Sequence, residues 1–372
     1  MKKYLIAGIV ALTQLANAAE PRLPVKAQLD DPESSSLILV PDPQSYIKWS
    51  ATQPLFDLQT AWIASNIDRL NIKAALFTGD MVEQNNSPAG IGLPNGVNGD
   101  QSSDNQWKSV SRALERLDHR IPYMICQGNH DAGFASSENR QCAFPDYFPA
   151  GRNICWEKSL VATAPNYLGT NTLENAAYEI AMPGWGKILI IAWEFAPRDE
   201  ILRWTKDLTE SEKYKDHHVI ILTHSFIEHD DHIFAEEAYA LSPRNWPGDI
   251  MKKLIYPSKN IDLILCGHAG DVMPWPENPT SLDEIDYGKT YGFRIEPTAD
   301  GREVPIMMFN SQTADGEWNG NGGDCWIRIL EFKPDGKTIK VHTFSPLYAM
   351  SKYTKHLSRR RAPGDEFEFR IN

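Results

Sequence analysis

Tyr123-Met124-Ile125-Cys126-Gln127-Gly128-Asn129-His130-Asp131 decides the fold. A short apolar run gives out into a glycine-led block that offers an amide oxygen, an imidazole and a carboxylate in succession. Apolar runs of this length bounded by turn residues read as fully buried strands. The same arrangement recurs on either side. Residues 36–40 run into Pro41-Asp42-Pro43-Gln44, residues 74–78 into Gly79-Asp80, residues 219–222 into Thr223-His224, and residues 261–266 into Gly267-His268. Side chains just beyond the carboxyl ends of parallel strands converge on one crevice.

Between the first three runs lie two helical stretches. Residues 55–70 carry Leu55, Leu58, Ala61, Trp62 and Ile63 among their apolar positions, and residues 105–117 form the second. The order β-α-β-α-β predicts parallel pairing in a sheet covered on both faces. Further strands are predicted at 177–181 and 187–193, across Pro183-Gly184-Trp185-Gly186, and a helix at 198–208. Residues 305–309, 326–332 and 338–344 read as antiparallel strands, the last two joined by Pro334-Asp335-Gly336. Residues 85–103, rich in Gly, Asn and Ser, read as a surface loop.

Carboxylate oxygen, amide oxygen and imidazole nitrogen in one crevice suit divalent first-row metals. A carboxylate bridging two ions, as Asp80 is placed to do, holds them roughly 3.5–4 Å apart, the spacing of two-metal hydrolases. Taken singly, each residue has a plainer reading. Asp42 suits a turn that bonds its own backbone, and a lone His224 or His268 suits a satisfied polar group at a strand end. Their joint occurrence, in order and each after an apolar strand, points to a dinuclear metal site.

The set Asp42-x-Gln44, Gly79-Asp80-x-x-Glu83, Gly128-Asn129-His130-Asp131, His224 and Gly267-His268 resembles the calcineurin-like metallophosphoesterase superfamily over roughly residues 36–345. The resemblance implies a four-layer α/β/β/α sandwich with mixed sheets. It also implies that Asp80 bridges two divalent ions, with Asn129, His224 and His268 on the second and Asp42 on the first. His130 is similar to the family's non-ligand histidine, a general acid or electrostatic stabiliser at the leaving group. Glu83 stands where relatives place a carboxylate that orients that histidine, or else is a solvated loop residue. Gln44 and Gly270 occupy positions where relatives carry histidine, and both would serve the first metal. An offshoot with Asp-x-Gln looks similar and tends to carry an Asn-x-Gln segment followed by a glycine-rich turn, matched here by Asn310-Ser311-Gln312 and Gly322-Gly323. Asp42, Gln44 and Asp80 make an oxygen-only position suited to Mn, Mg or Ca, whereas Asn129, His224 and His268 suit Zn, Mn or Fe. Gln44 either supplies its amide oxygen or fills the space while water completes the ion's shell.

The function implied is hydrolysis of a phosphate mono- or diester through metal-bound water. The alternative is a metal-binding protein that has lost turnover and serves as a ligand-binding or interaction module. At 372 residues, 42% hydrophobic and 23% charged, the chain reads as one large globular domain. A net charge of −12 argues against stable nucleic-acid binding, and Arg359-Arg360-Arg361 reads as a solvated run. Small-molecule or lipid-headgroup phosphate esters are the expected substrates.

Lys2-Lys3, the apolar stretch 4–15 and Ala16-Asn17-Ala18 read as a signal peptide over 1–18. A domain over 19–350 and an extension over 351–372 follow. No later run is long enough to span a bilayer, so a periplasmic or secreted protein is expected. Export permits disulfides. Of five cysteines, Cys142 and Cys155 are the first choice for a pair, and Cys126 and Cys266 read as buried, strand-filling thiols. Trp156, Trp185, Trp246, Trp275 and Trp318 fall in expected loops, to stack on a substrate or to pack beneath those loops. His229-Asp230-Asp231-His232 reads as a polar surface loop or as a lid carrying substrate or metal groups.

Overall fold

The computed structural model describes residues 27–87, 98–270, 290–312 and 321–371. The expected signal peptide, Trp275 and Trp318 lie outside these residues. Two seven-stranded mixed sheets pack face to face. The first contains β1 (Ser35–Val40), β2 (Ile72–Phe77), β3 (Tyr123–Ile125), β11 (Ile327–Phe332), β12 (Thr338–Phe344), β13 (Arg359–Arg360) and β14 (Phe367–Arg370). Its order is β13-β12-β11-β1-β2-β3, with β14 also pairing β12. The second contains β4 (Leu160–Pro165), β5 (Asn171–Met182), β6 (Gly186–Ala192), β7 (His218–Leu222), β8 (Ile261–Cys266), β9 (Tyr291–Pro297) and β10 (Glu303–Phe309). Its order is β4-β5-β6-β7-β8-β10-β9.

Alternation along the strands sorts the side chains into layers. On β6 to β8, Ile188, Ile190, Ala192, Ile220, Leu222, Leu263 and Leu265 join the core shared with the first sheet. The intervening Leu189, Ile191, Val219, Ile221 and Ile264 join a second core with Ile201, Leu202, Ile250 and Leu254. Fully burying one such aliphatic side chain contributes about 1.5–3 kcal/mol relative to exposure. The helices in chain order are α1 (Gln44–Ile47), α2 (Gln53–Asn66), α3 (Ser103–Glu115), α4 (Phe144–Tyr147), α5 (Trp156–Ser159), α6 (Asp199–Thr209), α7 (Pro247–Ile250) and α8 (Pro346–Ala349). Helices α2 and α3 cover the first sheet through Phe56, Ile63, Trp107, Val110 and Leu114. Helix α6 covers the second, which completes the α/β/β/α sandwich.

Local signals explain the helix ends. Ser102 caps α3 by accepting from Asn105 N, and Asp104 in the first turn faces the positive end of the helix dipole. Helix α2 stops at Asn66, short of the expected Leu70; residues 67–70 form turns, and Asn71, with a left-handed φ of 45°, leads into β2. Strands β1, β2 and β3 are parallel as expected. Strand β10 is not purely antiparallel: it runs parallel to β8 and antiparallel to β9, the strand that sequence reading omitted. On β9, the charged Arg294 and Glu296 interrupt any apolar run.

Two further expectations are corrected. Cys142 and Cys155 are free thiols. Cys142 accepts a hydrogen bond from Phe144 N and lies in the field of Glu174 and Asp131, whereas Cys155 lies beside Lys158 and Asp118. Arg359 and Arg360 form β13 and pair with Glu366 and Asp365, so only Arg361 is a solvated member of that run. Of the two alternatives for the tryptophans, Trp156 and Trp185 are buried: Trp156 opens α5 against Tyr123 and Trp185 packs on Phe332, their indole N–H groups donating to the carbonyls of Tyr123 and Lys333.

Candidate metal centre

Five strands deliver the candidate ligands from the two sheets. Asp42, Asp80 and Asn129 follow β1, β2 and β3; His224 and His268 follow β7 and β8. The loops approach so closely that only glycine fits at three points. A Cβ on Gly79, whose φ is +98°, would lie 2.7 Å from Gly128 N and 2.9 Å from His224 Nδ1. One on Gly128 would lie 2.1 Å from Asp80 Oδ1, and one on Gly267 2.2 Å from Asp42 Oδ1. Asp80 (φ 47°) and His268 (φ 68°) hold left-handed backbones. Such conformations cost about 1–3 kcal/mol each and collect at functional sites.

Asp80 Oδ1 accepts from His130 N at 2.8 Å, and Oδ2 lies 3.2 Å from His224 Nε2. His224 Nδ1 is 2.7 Å from the Thr78 carbonyl, which can only accept, so Nδ1 carries a proton and Nε2 faces inward. Nε2 lies 2.9 Å from Asn129 Oδ1 and 3.1 Å from His268 Nδ1. Asn129 donates its Nδ2 to Ser136 Oγ at 3.0 Å, which turns its oxygen toward the imidazoles. Asp80, His224 and His268 place one ligand atom each within 4.8 Å of one another.

On the other side, Asp42 Oδ1 accepts from Thr78 Oγ1 at 2.6 Å and Oδ2 from His268 N at 2.9 Å. Gln44 opens α1 and is buried, and its Oε1 has no hydrogen-bond partner among the described residues. A buried acceptor left unsatisfied costs about 1–3 kcal/mol, so this oxygen fits a cation. Gln312 supports the same side, accepting from Ser45 Oγ at 2.8 Å with its Nε2 3.5 Å from Asp42 Oδ2. Asn310 Nδ2 donates to the His268 carbonyl at 2.8 Å. A Cβ on Gly323 would fall 1.9 Å from the Ser311 carbonyl oxygen, which ties the glycine-rich turn to this segment.

Charge is concentrated here with little solvent to screen it. Burial alone would lower the His224 pKa, but the Asp80 and Asp42 carboxylates outweigh it and push it up to about 10. Burial opposes ionisation of Asp80 too, yet His224 and His130 hold its carboxyl well below the usual range. Asp42 moves the other way, to about 6, because burial exceeds the pull of His224. A crevice that stabilises this much positive charge beside two carboxylates is a cation site by its donor set.

His130 Nδ1 is 2.7 Å from the backbone carbonyl of Glu83. Glu83 therefore touches His130 through its main chain. Its carboxylate accepts from Asn98 Nδ2 at 2.6 Å and lies 3.6 Å from Lys48 Nζ. Burial would lower the His130 pKa, but Asp80 and the Glu83 carboxylate raise it, so the charged imidazole is favoured. Asp131 is not at the cation site: it accepts from Gly128 N and Val82 N and fixes the loop. In the segment His229 to His232, Asp231 accepts from Phe293 N at 2.7 Å and His232 Nδ1 lies 2.8 Å from Asp230 Oδ2.

Sequence reading missed Thr78, whose carbonyl and hydroxyl orient His224 and Asp42; its place just before Gly79-Asp80 was the available signal. It also missed Glu237, whose Oε2 lies 3.0 Å from His268 Nε2, and Phe195, whose ring packs on both histidines. No local pattern marked either.

The sequence model described as Calcineurin-like phosphoesterase matches residues 48–270. The chain belongs to that family. The match holds Asp80, Asn129, His130, His224 and His268; Asp42 and Gln44 lie ahead of it. The chain is 25% identical over 301 residues to the uncharacterized protein YvnB of Bacillus subtilis (strain 168), which covers 80% of this chain and 19% of that protein. It thus spans about a fifth of that relative's length. Among solved structures, a dimetal phosphatase from Danio rerio aligns over 92% of this chain and all of its own, with 9% identity and a TM-score of 0.48. GAP50, the anchor in the inner membrane complex of Plasmodium, aligns over 91% of this chain and 89% of its own, with 10% identity and a TM-score of 0.39.

Proposed function

We propose that the protein is an exported phosphoesterase that hydrolyses a phosphate mono- or diester with two unlike divalent ions. Membership of the calcineurin-like phosphoesterase family supports metal-dependent phosphoester hydrolysis in general. One observation carries the finer reading: Asp80 Oδ2, His224 Nε2, Asn129 Oδ1 and His268 Nδ1 converge within hydrogen-bond range while His130 hangs from the same Asp80. Asn129, His224 and His268 would hold the nitrogen-containing position, suited to Zn, Mn or Fe. Asp42 and the orphaned Gln44 oxygen would hold the oxygen-only position, suited to Mn, Mg or Ca, with Asp80 between them. Bound divalent ions supply Lewis-acid stabilisation of phosphoryl oxygens and lower the pKa of water.

The chain's own contribution centres on His130. Its Nδ1 is engaged by the Glu83 carbonyl, which leaves Nε2 as the ring nitrogen available to a leaving-group oxygen. Asp80 and the Glu83 carboxylate raise its pKa against the opposing effect of burial, which favours the protonated ring, so His130 would donate to the departing oxygen or stabilise its charge. Asp80 positions His130 through the backbone, which couples ion binding to acid placement. The Lys2-Lys3 segment and the apolar stretch behind it support export. Among the described residues no helix is long and apolar enough to cross a membrane.

The test is a panel of phosphomonoesters, phosphodiesters and nucleotides assayed with Mn²⁺, Zn²⁺ and Mg²⁺, with His130→Ala as control. Activity on one ester class that falls about 10²–10⁴-fold in His130→Ala is expected for a general acid. Activity untouched by that substitution removes His130 from the mechanism, and none on any ester favours a binding module.

A further inference from the structure

The residue after His224 begins a strap that leaves the second sheet and returns to the site. Ile227 bridges Ile233, Glu228 N donates to the His232 carbonyl at 2.8 Å, and Phe234 N to the Phe226 carbonyl at 3.2 Å. Arg294 Nη1 donates to the Asp231 carbonyl at 2.6 Å, pinning the turn to β9. The returning arm brings Glu237 beside His268, with its side chain 5% exposed. Glu237 Oε1 accepts from Ser225 Oγ at 2.6 Å, and Oε2 lies 3.0 Å from His268 Nε2. The rings of Phe234 and Tyr239 flank the imidazole at 5.7 and 6.2 Å.

We propose that Glu237 is a positioning residue that accepts the Nε2 proton of His268 and so presents the Nδ1 lone pair to the metal centre. This rests on reading the crevice as a metal centre. An ionised carboxylate only accepts hydrogen bonds, so the nitrogen it touches carries the proton. The opposite nitrogen is then Nδ1, 3.1 Å from His224 Nε2, whose own proton sits on Nδ1 against Thr78. Each imidazole thus has an acceptor on its outer edge, and the inner nitrogen is the one that would give up its proton to a cation. Two bare nitrogens at that distance repel unless a proton or cation lies between them. Outer-edge acceptors of this kind fix the tautomer and ring orientation of metal-bound histidine and raise its basicity. The burial of Glu237 supports the role, since a carboxylate loses more by leaving water than one serine hydroxyl returns. The strap makes the contact specific: twelve residues lie between His224 and Glu237 in sequence, yet Ser225 clasps the carboxylate that holds the other histidine.

The experiment measures Zn²⁺ affinity by competition with a chromophoric chelator, using metal-depleted full-length protein. The variants are Glu237→Ala, Glu237→Gln, His268→Ala and the double variant Glu237→Ala/His268→Ala. Glu237→Ala is expected to weaken the tight site about 10–100-fold. Glu237→Gln, whose amide oxygen still accepts from Nε2, keeps most of the affinity. In the His268→Ala background the Glu237→Ala change has no further effect, because the carboxylate acts through that ring. Wild-type affinity in Glu237→Ala overturns the proposal, as does an equal loss in the His268→Ala background, which marks a general packing role. Should Glu237→Ala not fold, Glu237→Asp, with its carboxylate drawn back by one methylene, enters the same cycle with the same deciding outcomes. A wild-type protein that binds no Zn²⁺ sinks the metal-centre reading itself, a result distinct from failure of Glu237 alone.

Discussion

Replacing Gly128 by alanine tests whether the two sheets hold the site as tightly as their geometry requires. The new Cβ would lie 2.1 Å from Asp80 Oδ1 and 2.2 Å from Asp80 N, and Cβ atoms do not approach other heavy atoms within 3.0 Å. The pair must therefore part by about 0.9 Å, roughly the ~1 Å displacement that costs a catalytic constellation on the order of 100-fold. The carboxylate oxygen could rotate away, but the amide nitrogen belongs to a backbone already held at a φ of 47°. Moving it disturbs the Asp80 contacts to His130 N and His224 Nε2 together. Overpacking of this kind costs about 1–3 kcal/mol of stability. Gly151→Ala is the control, since nothing lies within 4 Å of its added Cβ. Urea denaturation and ester hydrolysis of both variants check the argument. Gly128→Ala is expected to lose about 1–3 kcal/mol and to lower kcat/KM by about 100-fold or more. Gly128→Ala indistinguishable from Gly151→Ala in both assays refutes the reasoning.

Two further outcomes are expected. Gln44→Ala should weaken the looser of two Mn²⁺ ions while costing little stability, because its Oε1 bonds to no group among the described residues; titration calorimetry that finds both ions unchanged removes Gln44 from the ligand set. Burial would raise the pKa of Glu331, but its hydrogen bond with His342, then those from Asp30 N and Asp31 N and the contact with Lys333, outweigh it and depress the pKa to about 2 from an ordinary 4.5. A depressed folded pKa gives stability that is full above about pH 4.5 and is lost as pH falls through about 2, on the order of 3 kcal/mol in all. Urea melts at pH 5 and pH 2 should therefore show a larger loss in wild type than in Glu331→Gln, and parallel losses contradict the assignment.

The strand ends and the ligand set were legible because each apolar run stops at a small or polar residue that the fold cannot place elsewhere. Gly79, Gly128 and Gly267 are glycines for a reason visible only in space: each faces a ligand's backbone or side chain across a loop. Other features depended on distant partners. Nothing near Glu237 marks it, since its role is set by a strap closed through Ile227 and Ile233. Sequence placed Glu83 beside His130, but could not tell that its carbonyl rather than its carboxylate would make the contact. The direction of β10 follows from its place between β8 and β9, and β9 has no apolar run to announce it. The Cys142–Cys155 pairing failed because closeness in sequence says nothing about which way each thiol faces.

The central claim is an asymmetric pair of metal positions, one with imidazole nitrogen and one with oxygen alone. The most direct measurement is metal content and stepwise affinity for protein purified without chelator, by elemental analysis and calorimetry with Zn²⁺ and Mn²⁺. Two ions per chain are predicted, the tighter lost in His224→Ala and the weaker exchanged readily for Mn²⁺ or Mg²⁺. Two equally tight Zn²⁺ ions would contradict it.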